Sequence, residues 1–217
     1  MRTEQELRMK GLLFVEWILF NVIIISTIMP IVVFMQLIYG TYGFNASSQL
    51  IANIILAIAL SFLLGFCQWQ ILETFIMNAK QWMWTSFVGG SVGLSAALLK
   101  NYAATNWETS GVSMWLLNGI IIGIALGIAQ YFFLRHLVKF SGIWILANVL
   151  GWSIGLEWGW SVFSTNTSSI LFDSIVGYFF YFAVSVFCFA ITYTGITGVL
   201  LFFLLQFHSK KLQTSAA

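Results

Sequence analysis

The sequence predicts an all-α polytopic membrane protein: six transmembrane helices forming three tandem helical hairpins about a pseudo-threefold axis. Three observations predict it. Of 217 residues, 60% are hydrophobic and 7% charged, with a mean hydropathy of +0.93; soluble domains carry about 25% charged residues. The apolar residues gather in runs of about 20, the length that crosses a ~30 Å hydrocarbon core. Finally, GIAQYFFLRHLVKFSGIWILANVLGWSIGL, from Gly127 to Leu156, repeats without a gap the stretch from Gly65 to Leu94, 62 residues earlier. Helices follow because every backbone polar group in lipid must be satisfied within its own segment. The alternation of a transmembrane barrel is missing.

The spans fall at about 12–38, 48–71, 82–99, 113–134, 141–162 and 175–206. The first follows MRTEQELRMK, which is charged and leads into a long apolar run without a small-residue cleavage site. It reads as a retained helix. Pro30, the sole proline, lies inside it and predicts a kink. Short connections near 40–47, 100–112 and 163–174 carry Gly, Asn, Ser and Thr, as turns do. The sixth span is longer than a bilayer needs, which predicts a tilt or a first stretch outside the hydrocarbon. The chain reads as one transmembrane domain over 1–217, with repeats at about 12–73, 80–136 and 140–208.

Charge sets the expected orientation. With the N-terminus inside, Arg2, Arg8, Lys10, Lys80, Arg135, Lys139, Lys210 and Lys211 share one side, and Lys100 alone takes the other. The positive-inside rule then places both termini in the cytoplasm. No basic run is dense enough for nucleic acid. Cys67 and Cys188 fall within spans and are expected as free thiols.

At a shift of 62, Gly65, Gln68, Leu72, Trp82, Gly89, Ser91, Gly93 and Leu94 meet identical residues. Trp17 with Asn21 and Trp144 with Asn148 share a pattern in which Trp82 and Ser86 also fit. The last span keeps Gly198 and Leu205 but has Leu201 where the others have glutamine. This is a parallel repeat around an axis along the membrane normal, with an eroded third copy. The combination G-x-x-Q-[WY]-x-x-L and W-x-x-x-[NS]-x-x-G-x-S-x-G resembles a group of multi-pass membrane proteins, largely cyanobacterial, for which no activity is established. Gly195 and Gly198, with Leu204 and Leu205, resemble that group's last helix. The resemblance implies a bacterial inner membrane, with the thylakoid as an alternative.

Small residues recur every fourth position: Ala57, Ser61 and Gly65; Gly119, Gly123 and Gly127; Gly89 with Gly93; Gly151 with Gly155. Such stripes let helix backbones approach closely. The matches to G-x-S-x-G around Ser91 and Ser153 lie mid-helix, where a nucleophile elbow's strand-to-helix turn is impossible. The chain is therefore expected not to be an enzyme, and no metal or cofactor motif occurs.

The polar candidates are Gln68, Gln130, Asn21, Ser86 and Asn148, at similar depth toward the cytoplasmic half, with Thr194 and Thr197 as further members. They form either interhelical hydrogen bonds or a ligand-binding polar pocket for a small solute, lipid headgroup or pigment. Glu157 is a ligand-site candidate as an intramembrane carboxylate, or a headgroup-level acid among belt tryptophans; Lys100 is its partner by depth. Trp82, Trp84, Trp107, Trp115, Trp158 and Trp160 read as interfacial anchors. The expected function is a non-enzymatic accessory or assembly component of a membrane complex. Its partners would be the lipid bilayer and other membrane-protein subunits. The alternatives are a small-solute or lipid transporter using the inner-leaflet polar site, and a pigment-binding protein.

Overall fold

A computed structural model describes residues 11–27, 43, 45–74, 76, 78–103, 113–166 and 175–214, with backbone alone at 166, 175, 176 and 205–214. Among the described residues the chain is all-helical. The helices are α1 (Gly11–Thr27), α2 (Ala46–Leu72), α3 (Lys80–Ala103), α4 (Met114–Leu134), α5 (Ile143–Asn166) and α6 (Ile175–Thr214). Among the described residues, four stretches are long and apolar enough to cross a membrane: α2, α3, α4 and Gly177–Leu204 within α6. The described part of α1 has 17 residues, short of a full crossing. The expected Pro30 kink, the Trp107 anchor and the side chains of Lys210 and Lys211 lie outside the described residues, as do Arg2, Arg8 and Lys10.

Local chemistry sets the helix ends. Asn45 caps α2, its side chain accepting from the Ser48 amide at 2.8 Å, and Ser113 caps α4 by accepting from Trp115 at 3.2 Å. Asn78 adopts φ 61° just before α3, a left-handed conformation that asparagine tolerates. The sixth helix runs unbroken for 40 residues, or about 60 Å at 1.5 Å per residue.

The bundle is apolar outside and polar inside. Ile51, Ile55, Val88, Val92, Leu146, Leu150, Phe187 and Ile191 are exposed, while Asn21, Gln68, Gln130, Asn148, Thr194 and Thr197 are at most 1% exposed. Water would reverse this distribution, and a hydrocarbon solvent favours it.

Consecutive helices pack antiparallel, with glycines at the crossings. A Cβ at Gly65 would stand 2.8 Å from the Met83 carbonyl oxygen, and one at Gly127 would stand 2.8 Å from Ile145 Cα. On α4, a Cβ at Gly123 would come within 2.5 Å of Val149 Cα, and one at Gly119 would run into Ser153. Gly89 and Gly93 on α3 meet Leu126 and Ile122 on α4. Gly151 and Gly155 on α5 meet Tyr193 and Phe189 on α6. Gly198 of α6 lies against Trp17 of α1, so the last helix returns to the first.

The α2–α3 and α4–α5 connections share a backbone. Glu73 donates to Trp69 and Arg135 to Tyr131, both at 2.8 Å. Ile76 donates to Leu72 and Val138 to Leu134, at 2.8 and 2.9 Å. Trp82 donates to Ala79 and Trp144 to Ser141, at 2.9 and 3.0 Å. Each second bond lies 62 residues after the first.

Glycine substitutions separate contact from propensity. Gly123→Ala should destabilise the protein by about 1–3 kcal/mol through overpacking. Gly195→Ala, with nothing within 4 Å of its added Cβ, should be neutral or stabilise by roughly 0.5–1 kcal/mol. Denaturant unfolding in mixed micelles measures both.

Candidate functional site

Three tryptophans meet at the centre of the bundle, near the end that holds the α2–α3 and α4–α5 connections. Trp17, Trp82 and Trp144 come from α1, α3 and α5, and each is 0% exposed. Their ring centroids lie 6.0 Å (17–82), 6.3 Å (17–144) and 5.4 Å (82–144) apart, each pair edge-to-face. This arrangement sets the positive edge of one ring against the negative face of the next. An apolar layer including Leu13, Leu72, Leu134, Leu201 and Leu204 surrounds them.

A buried indole N–H needs an acceptor, and the even-numbered helices provide it. Trp82 Nε1 donates to Gln68 Oε1 at 2.9 Å, and Trp144 Nε1 donates to Gln130 Oε1 at 2.6 Å. Indole nitrogen only donates, so each glutamine must turn its oxygen to the tryptophan and its nitrogen away. That nitrogen reaches the preceding odd-numbered helix. Gln68 Nε2 donates to Asn21 Oδ1 and Gln130 Nε2 to Ser86 Oγ, both at 2.8 Å. Asn21 then donates to the Trp17 carbonyl at 2.7 Å, and Asn148 to the Trp144 carbonyl at 3.0 Å. The five polar candidates thus fall into two hydrogen-bonded clusters, Asn21 with Gln68 and Ser86 with Gln130 and Asn148, which the tryptophan triad brings side by side.

The contacts of Trp17 differ. Trp17 Nε1 donates to Thr197 Oγ1 at 3.3 Å, a long contact. Asn148 sends its nitrogen to two acceptors, Trp144 O and Gln130 Oε1, which leaves Oδ1 buried without a partner. Leu201, 1% exposed, follows Gly198 by three residues, as Gln68 follows Gly65 and Gln130 follows Gly127. Thr194 turns back to the Ala190 carbonyl at 2.7 Å and stays outside both clusters.

Glu157 is not brought to this centre. It lies nine residues beyond Asn148 on α5, about 13 Å along the axis, half-buried, with Oε2 unpartnered among the described residues. Trp82 departs from its expected role: it is fully buried in the triad and no headgroup anchor. Trp84 and Trp158 are about half exposed, and Trp115 stacks on Trp160 at 4.9 Å. The tryptophan–glutamine pairing escaped the sequence reading. Its signal was the shared spacing of 14 residues from Gln68 to Trp82 and from Gln130 to Trp144.

Little space adjoins these clusters. A gap of about 70 Å³ touches Ser61 and Ser86 and is otherwise walled by apolar side chains such as Leu64, Leu94 and Leu126. It has room for a few waters. Ser91 and Ser153 sit within the continuous helices α3 and α5, and their hydroxyls have no partner. His136 takes a hydrogen bond from Arg135 Nε at 3.1 Å in an exposed connection. No group of three His, Cys, Asp or Glu side chains that could hold a metal occurs among the described residues. Comparison with known proteins returns no match: no family model fits the chain, and no curated protein or solved structure is similar to it.

The leucine at position 201 yields a test. Leu201→Gln should leave the unfolding midpoint unchanged or raise it, because the new amide accepts from Trp17 and donates to Asn148. Leu126→Gln, at an equally buried apolar position, should cost about 2 kcal/mol or more as an unpaired polar group. Equal losses in the two variants would refute the equivalence of position 201 with positions 68 and 130.

Proposed function

We propose that the chain is a six-span membrane protein built from three hairpins, α1–α2, α3–α4 and α5–α6, around a pseudo-threefold axis. The recurrence of backbone bonds in the connections supports this, as does the repeated pairing of glutamine with tryptophan. We read it as a non-enzymatic accessory or assembly component of a bacterial inner-membrane complex, with both termini cytoplasmic.

One observation carries the functional part of the reading. Each atom of the Gln68 and Gln130 carboxamides is engaged by another protein group, and both residues are at most 1% exposed. A transport site must offer hydrogen bonds to a solute, whereas these amides already give theirs to neighbouring helices. Interhelical bonds of this kind contribute ~0.6 kcal/mol each, up to ~1.7. The polar centre is therefore a device for holding helices together. The outer surface is apolar and packs against lipid or another membrane subunit. The resemblance to a largely cyanobacterial group is consistent with such a component.

Two experiments bear on this reading. Cysteines placed at positions 100 and 139, with Cys67 and Cys188 replaced by alanine, should react with an impermeant maleimide from opposite sides. Reaction on a common side would remove the six-span topology. Purification from native membranes in mild detergent should bring down another membrane protein in a fixed ratio. Repeated isolation of the chain alone would remove the assembly role.

A further inference from the structure

The half of the bundle away from the tryptophan triad holds a second, open-sided space. Its volume is about 560 Å³, within the ~300–1,000 Å³ range of small-molecule sites. Four helices wall it: α3 through Ala97 and Asn101, α4 through Trp115 and Asn118, α5 through Trp160, and α6 through Phe182. Aromatic rings dominate the lining, which carries no carboxylate, amine, guanidinium or imidazole among the described residues.

Two carboxamides, with the hydroxyls of Tyr178 and Ser185, break this apolar wall. Asn118 is 5% exposed and its Oδ1 is buried without a partner. Asn101, half-buried on the facing helix, also has an Oδ1 unpartnered among the described residues. In the other half of the bundle the amides of Gln68 and Gln130 use both oxygen and nitrogen in hydrogen bonds. An orphaned buried polar group is destabilising, so a buried asparagine at a cavity wall is a group awaiting a partner.

We propose that this cavity binds a neutral, ring-bearing hydroxy-lipid, with its hydroxyl held by the Asn118 carboxamide and its ring packed among the aromatic walls. Neutrality follows from the lining, because an ion buried there would have no opposite charge. A hydroxyl follows because it both gives and takes a hydrogen bond, matching an amide that can do the same. The ring follows from the aromatic walls, which favour offset-stacked and edge-to-face contacts. The site is separate from the hydrogen-bonded centre and does not depend on the assembly role.

The test uses 4-hexylphenol and its methyl ether, 4-hexylanisole, with the full chain in detergent micelles. Trp115, Trp152 and Trp160 line the cavity, so tryptophan emission reports occupancy. The phenol should quench it saturably and bind about tenfold more tightly than the ether, which has lost its donor. Asn118→Leu should bring the phenol to the level of the ether and leave the ether unchanged. Ala97→Phe, which fills the space, should abolish binding of both and carries the test should Asn118→Leu fail to fold. Photolabelling of the unaltered protein with a diazirine-bearing alkylphenol needs no variant, and should mark peptides spanning 97–101 and 115–122. Equal affinity for the two probes, unsaturable partitioning, undiminished phenol binding by Asn118→Leu, or labelling elsewhere would each overturn the proposal; cavity water alone would then satisfy the amides.

Discussion

The hydrogen bond from a buried indole N–H to a glutamine carbonyl is the interaction on which this bundle depends. It occurs between Trp82 and Gln68, and again between Trp144 and Gln130. Lipid cannot accept an N–H, and these two tryptophans find their acceptors inside the protein. The acceptor then has a free amide nitrogen, which must find a third partner. One unsatisfied donor thereby links three helices: α3 to α2 to α1 through Asn21, and α5 to α4 to α3 through Ser86.

Close helix packing makes this linkage possible. The glycines facing a neighbouring helix leave no room for a Cβ, at Gly65, Gly123 and Gly127 among others. Because the backbones approach so closely, a side chain as short as Ser86 or Asn21 can reach an amide on the next helix. In lipid, where tails are as apolar as the side chains, such packing and the polar bonds together drive association. The small-residue stripes and the polar centre are two parts of one arrangement.

Much of this was legible in residue order. Gln68 and Gln130 follow their glycines by three positions, so a helix period of 3.6 puts them on the stripe that faces another helix. Repetition of the unit marked the same positions twice. Trp82 was less legible, since a tryptophan beside a charged connection is normally an interfacial anchor. Its burial depends on the triad, which requires Trp17 and Trp144 from helices distant in sequence. Asn118 gave no periodic signal at all, because position 56, its counterpart in the earlier repeat, is leucine.

Composition and periodicity alone determined that the chain is helical, that its apolar runs are of membrane length, and which helical stripes carry small and polar residues. Those properties follow from the solvent and from the geometry of a single helix. Tertiary structure alone decided which donor meets which acceptor, leaving Asn148 Oδ1 and the Asn118 carbonyl unpartnered while both glutamines are satisfied. A hydrogen bond is fixed by a few tenths of an ångström between different helices, and residue order along one helix does not contain that distance.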